Sequence, residues 1–158
     1  MFDTVMNLPW HPLVVHAVIV LLPLSCLGAV LVAVRADWDR VHGVLVLASS
    51  CVAAGASVVA KESGEKLASR VGVPLDHSRW GTWVVVSAAL VFLSVAALWW
   101  LDRPHRESRS TPIKALAALQ VVLAGVAFTL VVLAGHSGAT AVWGSIVQHT
   151  VPGTFPVG

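Results

Sequence analysis

The chain has 158 residues, of which 57% are hydrophobic and only 11% charged, with a formal net charge of +2 and a mean hydropathy of +0.83. A soluble domain carries about a quarter of its residues as charges, so this composition excludes one and points to an integral membrane protein with a single domain over residues 1–158. A net charge this small leaves no electrostatic footprint for nucleic acid, and no nucleic-acid partner is expected.

Residues 1–10 carry Asp3 as their one charged side chain. A cleavable signal peptide needs a basic leader, so the first apolar run is expected to be retained. Four apolar segments follow, at about 12–34, 41–60, 80–101 and 112–135. Each supplies the roughly 20 residues that a helix needs to cross hydrocarbon about 30 Å thick. Strand-like alternation is absent, and lipid offers no partner to an unpaired backbone, so the segments are read as helices. The expected fold is all-α, an integral membrane four-helix antiparallel bundle, with the lipid bilayer as its first partner.

Pro12 behind His11 and Pro112 behind Thr111 fit the first helical position of spans one and four. Pro23 lies inside span one, where it frees the carbonyl of Ile19 and predicts a kink. Arg35, Asp37, Asp39 and Arg40 form the first connection, Lys61 to Arg79 the second, and Asp102 to Lys114 the third. Span two carries small residues at four-residue spacing, Ser49, Ala53 and Ser57 beside Cys51 and Gly55, and is expected to be buried in the bundle. Cys26 and Cys51 fall near the middle of apolar runs and read as small buried hydrophobes rather than as disulfide or thiol-metal partners. In span four, Gln120 is the one strongly polar side chain at depth and predicts an interhelical hydrogen bond.

All seven tryptophans, at 10, 38, 80, 83, 99, 100 and 143, fall near segment ends, the headgroup level that indole rings prefer. Connections one and three carry six Lys or Arg (Arg35, Arg40, Arg103, Arg106, Arg109, Lys114) and connection two carries four (Lys61, Lys66, Arg70, Arg79). The excess of positive charge on the inner side places both termini outside the cell (inner) membrane.

Four antiparallel crossings bring His11, His16, His77, His136 and His149 to one side, joined there by Lys61, Glu62, Glu65, Lys66, Asp76 and Arg79. His42 and His105 map to the other side and read as surface residues. An ionisable ring at membrane depth needs a partner, which makes the cluster the candidate functional site. His11 and His16 are five residues apart, about 140° around a helix and 7.5 Å along it, so one face cannot present both. His11 sits near the helix cap and His16 a turn deeper, with His136, between Gly135 and Gly138, as its counterpart.

Three chemistries suit such a cluster. Haem b would take imidazoles from two helices, with Arg79 or Arg70 near its propionates. Zinc or copper would take three or four of His11, His16, His77 and His136, with Glu62 or Glu65. A proton or substrate path would use the rings as titrating stations. Helix capping and hydrogen bonds to carbonyls offer a purely structural alternative. No hydrolase nucleophile emerges, because the neighbours Asp76-His77-Ser78 and His136-Ser137 do not make a triad and no nucleophile elbow or phosphate loop occurs. A binding or electron-transfer protein is expected rather than a stand-alone enzyme.

The opening His11-Pro12-Leu13-Val14-Val15-His16, the four spans, His77 before the third span and the closing Gly135-His136-Ser137-Gly138 together resemble the membrane-protein family called domain of unknown function 2231. The resemblance covers nearly the whole chain. Where members continue the first motif with Phe-Pro-Ile, Ala17, Val18 and Ile19 stand here. In the closing motif Ala139, Ala141 and Trp143 replace a Gly, a Leu and a Tyr. Some relatives occur joined to Rieske iron-sulfur or c-type cytochrome modules, so the resemblance implies membrane electron transfer and ranks haem above a bare metal. The expected function is therefore a redox protein that holds haem b through His16 and His136, with His11, His77 and Arg79 beside them. It would pass electrons among quinone, haem and an external electron-transfer protein. A non-redox metal or proton carrier or sensor is the alternative, and a subunit of a larger membrane complex is the third reading.

Overall fold

The structure, a computed structural model, describes residues 4–5, 8–72, 75–102 and 109–149. A two-residue antiparallel ladder, β1 (Thr4–Val5) with β2 (Leu8–Pro9), precedes four helices: α1 (Trp10–Val34), α2 (Ala36–Val71), α3 (Leu75–Asp102) and α4 (Thr111–His149). All four are long and apolar enough to cross a membrane. Each helix packs against its sequence neighbours and α4 closes back onto α1, which leaves α1 and α3 on a diagonal. Contacts between the start of α1 and the far end of α2, and between the start of α3 and the far end of α4, make the bundle antiparallel. The expected all-α bundle is what forms.

The helices outrun the predicted spans, chiefly at one end. Residues 36–40, read from sequence as a connection, are the first turns of α2, with Asp37 and Asp39 where acidic groups favour a helix N-terminus. Arg35 alone joins α1 to α2, and its guanidinium lies 5.9 Å from the Trp38 ring. Likewise α2 runs on through the charged stretch after Ala60 and ends at Gly72, whose φ of 90° breaks the helical path. Charge marks where lipid ends, and a helix continues past it wherever side chains such as the Lys61 and Glu65 ion pair support its turns. α1 continues through Pro23 as one helix. His105, Arg103 and Arg106 lie outside the described residues.

Small and β-branched residues fill the centre of the bundle: Ala29 and Val32 from α1, Ala53 from α2, Val91 and Val95 from α3, Ala124 and Ala127 from α4. Residues of this size let backbones approach where lipid removes the hydrophobic drive between helices. Four buried serines, Ser50, Ser57, Ser87 and Ser94, return their hydroxyls to carbonyls three residues back, whereas the hydroxyl of Ser25, fully buried in α1, has no hydrogen-bond partner among the described residues. α2 is less enclosed than its small residues suggested. One stripe, Val46, Ser50, Ala53, Ser57 and Ala60, faces inward, whereas Cys51 and Gly55 lie on the exposed face. Cys26 is buried as expected, but Cys51 is exposed, since a helix at the rim of a four-helix ring buries one face only.

Two polar contacts pin α4 to α1. Gln120, fully buried, donates Nε2–H to the carbonyl of Ala29 at 2.7 Å, the interhelical bond anticipated from sequence. At the end away from His11, Arg109 Nε donates to Asp102 Oδ2 at 2.8 Å, and the same guanidinium reaches the carbonyls of Val32 and Ala33 at the end of α1. With side-chain exposures of 8% and 2%, this pair is a buried staple across three helices rather than a surface ion pair. Truncating one partner of a buried ion pair strands the other. Arg109→Ala is therefore expected to lower stability in detergent by about 3–5 kcal/mol, and the double change Arg109→Met with Asp102→Leu by less than either alone. Thermal unfolding of Arg109→Ala, of Arg109→Met and Asp102→Leu singly, and of the double variant checks this.

Candidate functional site

At the end of the bundle opposite Arg109, each pair of sequential helices builds the same arrangement. In the late part of α2, Ala60, Ser63 and Gly64 share one helix face, as residues three and four apart do. His11, in the first turn of α1, lays its ring on that face and donates Nδ1–H to the carbonyl of Ala60 at 2.9 Å, with the hydroxyl of Ser63 3.4 Å away. In α4 the same face is built by Ala134, Ser137 and Gly138. His77, in the first turn of α3, donates Nδ1–H to the carbonyl of Ala134 at 3.1 Å, with Ser137 Oγ again at 3.4 Å. Both serines donate their own protons to the same alanine carbonyls, Ser63 at 3.0 Å and Ser137 at 2.9 Å.

The glycines make these bonds possible. A Cβ at Gly64 would stand 2.8 Å from Cε1 of His11, and one at Gly138 would stand 3.0 Å from Cε1 of His77. The notches beside the backbone are thus filled by imidazoles. Because α1 and α3 lie on the bundle diagonal, the two rings meet across its axis, with centroids 5.9 Å apart and planes at 81°.

A carbonyl oxygen can only accept, so each Nδ1 carries its proton, and in the neutral ring Nε2 is then the bare, lone-pair nitrogen. Anchoring one ring nitrogen to a carbonyl while the other faces a ligand is the usual support for an imidazole that binds a metal. The site therefore offers two nitrogen donors, one from each helical hairpin.

The structure distributes the sequence-predicted residues unevenly. His11 and His77 come together. His16 is exposed, its Nδ1 turned back to the carbonyl of Pro12, and His136 is exposed on α4. Among the described residues no ring contact joins His16 to His136. The half-turn separation of His11 and His16 is realised, but the shallower ring faces inward and the deeper one outward. Arg79, Asp76, Glu62 and Glu65 are exposed at the same end, and His149 bonds the carbonyl of Ser145 on its own helix. His42 is a surface residue on the other side, against Trp38. No group of three or more His, Cys, Asp or Glu among the described residues is arranged to hold a metal ion. An apolar crevice of about 460 Å³ between α2 and α3, lined by residues that include Phe92, Trp99 and Trp100, lies toward the opposite end and is separate from this site.

Sequence reasoning passed over Ala60, Ser63 and Gly64. The signal was present as an internal repeat, Ala-x-x-Ser-Gly, at Ala60–Gly64 and again at Ala134–Gly138.

The fold and its paired imidazoles define a four-helix membrane protein assembled from two similar hairpins. The family model described as "Predicted membrane protein (DUF2231)" matches residues 7–151, and the chain belongs to that family. Neither a curated protein nor a solved structure matches it.

Filling either notch should displace a ring. Gly64→Ala is expected to cost about 1–3 kcal/mol, the usual range for overpacking, and Gly138→Ala less, because its clash is milder. Gly125→Ala, with nothing within 4 Å of the added carbon, should be neutral or stabilising by up to about 1 kcal/mol. Melting temperatures of the three variants in one detergent test this order.

Proposed function

We propose that His11 and His77 together bind one redox-active metal, the iron of a haem b or a copper(I) ion, and that the protein carries single electrons at this membrane face. What supports this reading is the pair of anchored tautomers, which leaves a bare Nε2 on each of two rings whose centroids lie 5.9 Å apart. A six-coordinate haem iron can take two imidazole nitrogens from a protein, one of several axial sets that haem accepts. Copper(I), held by two imidazoles, is the other form of the same chemistry. Zinc asks for three or four protein ligands, and among the described residues no such group is arranged to hold a metal ion. With metal–nitrogen bonds of about 2 Å, two imidazoles facing each other across an ion have centroids roughly 6 Å apart, close to the 5.9 Å of this pair.

The reading moves the ligand pair from His16 and His136 to His11 and His77. If haem is the ligand, His11 and His77 would hold its iron, and Lys61 and Lys66 at this end of α2 would be the cations available to its propionates. The charge count favours placing this end outside the cell (inner) membrane, where an external electron-transfer protein would meet it, with quinone as the partner within the bilayer.

Oxidised and reduced absorption spectra with metal analysis of the detergent-purified protein test this. A Soret band that sharpens on reduction identifies haem. One copper per chain without such a band identifies copper. In either case the metal is expected to be lost in His11→Gln and His77→Gln, whose side chains still bond the carbonyls, and retained in His16→Gln and His136→Gln. A protein that retains neither metal, or retains it in the first two variants, refutes the proposal.

A further inference from the structure

Five serines are buried among the described residues, and Ser50, Ser57, Ser87 and Ser94 behave alike, each bonded back to its own helix at 2.7–3.0 Å. Ser25 is the exception. It is 0% exposed, yet its hydroxyl is not bonded back to α1 and meets no partner among the described residues. One turn further along the same face of α1 stands Ala29, whose carbonyl takes the Nε2–H of Gln120. Gln120 is also 0% exposed, and its Oε1 likewise has no partner among the described residues.

The two bare atoms come from facing helices and are chemically complementary, since a hydroxyl donates and an amide oxygen accepts. They do not bond each other directly. A Cβ at Gly28 would stand 3.0 Å from Val46, so the antiparallel register of α1 and α2 sets Ser25 at the height of Ser49 and Ser50. Ser50 is buried and gives its own proton to the carbonyl of Leu47, which leaves its oxygen able to accept. From α4 the residue at this height is Ala124, one turn beyond Gln120 and buried. Its methyl group offers the Ser25 hydroxyl nothing to bond.

We infer that the bundle holds internal water at the level of Ser25 and Gln120. Water accepts the Ser25 hydroxyl proton and donates to Gln120 Oε1, with the Ser50 oxygen as a further acceptor; a buried water takes about two to four such partners. Buried polar groups that find no partner in the protein are where ordered water enters a core, whereas an apolar cavity stays dry. Water suits these groups better than a cation does, because the spans carry no Asp or Glu at this height and a buried charge needs a counter-charge. The site lies roughly 21 Å along α1 from His11 at about 1.5 Å per residue, so it stands apart from the metal proposal.

The test uses the full-length protein in lipid bilayers, labelled with ¹⁵N at its two glutamines, Gln120 and Gln148. Gln148→Ser assigns the two side-chain signals. Magnetisation passed at short mixing times from water protons to the Gln120 amide is measured in the native sequence, in Ser25→Ala and in Ser94→Ala, whose hydroxyl is bonded within its own helix. Transfer is expected in the native sequence and in Ser94→Ala, and most of it is expected to be lost in Ser25→Ala. Ser25→Ala is also expected to melt at a lower temperature than the native protein, because the water loses a partner. A dry hydroxyl gives the opposite shift, since its removal relieves an unsatisfied group. No transfer to Gln120 in the native sequence, transfer that Ser25→Ala leaves unchanged, or a Ser25→Ala protein that melts higher than the native one would each overturn the inference.

Discussion

The hydrogen bond from an imidazole Nδ1–H to a helix carbonyl, made once in each hairpin, is the interaction on which the site depends. It requires an unobstructed carbonyl, which Gly64 and Gly138 provide by leaving room for the ring edge. It also requires the next helix to begin at that level, as α1 does with Trp10 and α3 with Leu75. A net contribution of about 1 kcal/mol per bond is modest. Its larger effect is to fix the tautomer and hence which nitrogen is left bare. Since the carbonyls belong to α2 and α4 and the rings to α1 and α3, each bond joins the two helices of a hairpin, and the diagonal placement of α1 and α3 turns two local contacts into one shared site.

The rest of the bundle holds that placement. The Arg109 and Asp102 staple ties α3 and the start of α4 to the end of α1 at the far side, and Gln120 ties α4 to α1 in the middle. Between these levels the core is mostly Ala, Val and Ser, small or stiff side chains that let the helices pack closely, with Leu22 and Leu98 as its largest buried apolar side chains. The polar contacts thus occur at three heights in a largely apolar structure, and at the histidine level the atom left bare is an imidazole nitrogen, whereas at the other two it is an oxygen, Asp102 Oδ1 or Gln120 Oε1.

Much of this was legible in the sequence. Spans, antiparallel order and the partnership of Gln120 follow from apolar length and from the cost of an unsatisfied amide in lipid. Helix ends were misread because charge marks the lipid boundary and not the end of a helix: Asp37 and Asp39 support a first turn, and α2 passes through Lys61 without interruption. At the site, sequence placed His11 and His77 on the correct side but favoured His16 and His136 as the central pair. The rotation of α1 decides between His11 and His16, and apolar residues on every side of that helix give no sign of which way it turns. The repeat Ala-x-x-Ser-Gly carried the missing information, since each copy builds one notch, but its meaning emerges only when a histidine from another helix is seen lying in it.

The most direct test of the account is the protonation pattern of the two rings in metal-free protein. In histidine labelled with ¹⁵N and studied at alkaline pH, where imidazoles are neutral, signals assigned through His11→Gln and His77→Gln should show a protonated Nδ1 and a bare Nε2 for both residues. A protonated Nε2, or the averaged signal of a ring exchanging freely between tautomers, would contradict it.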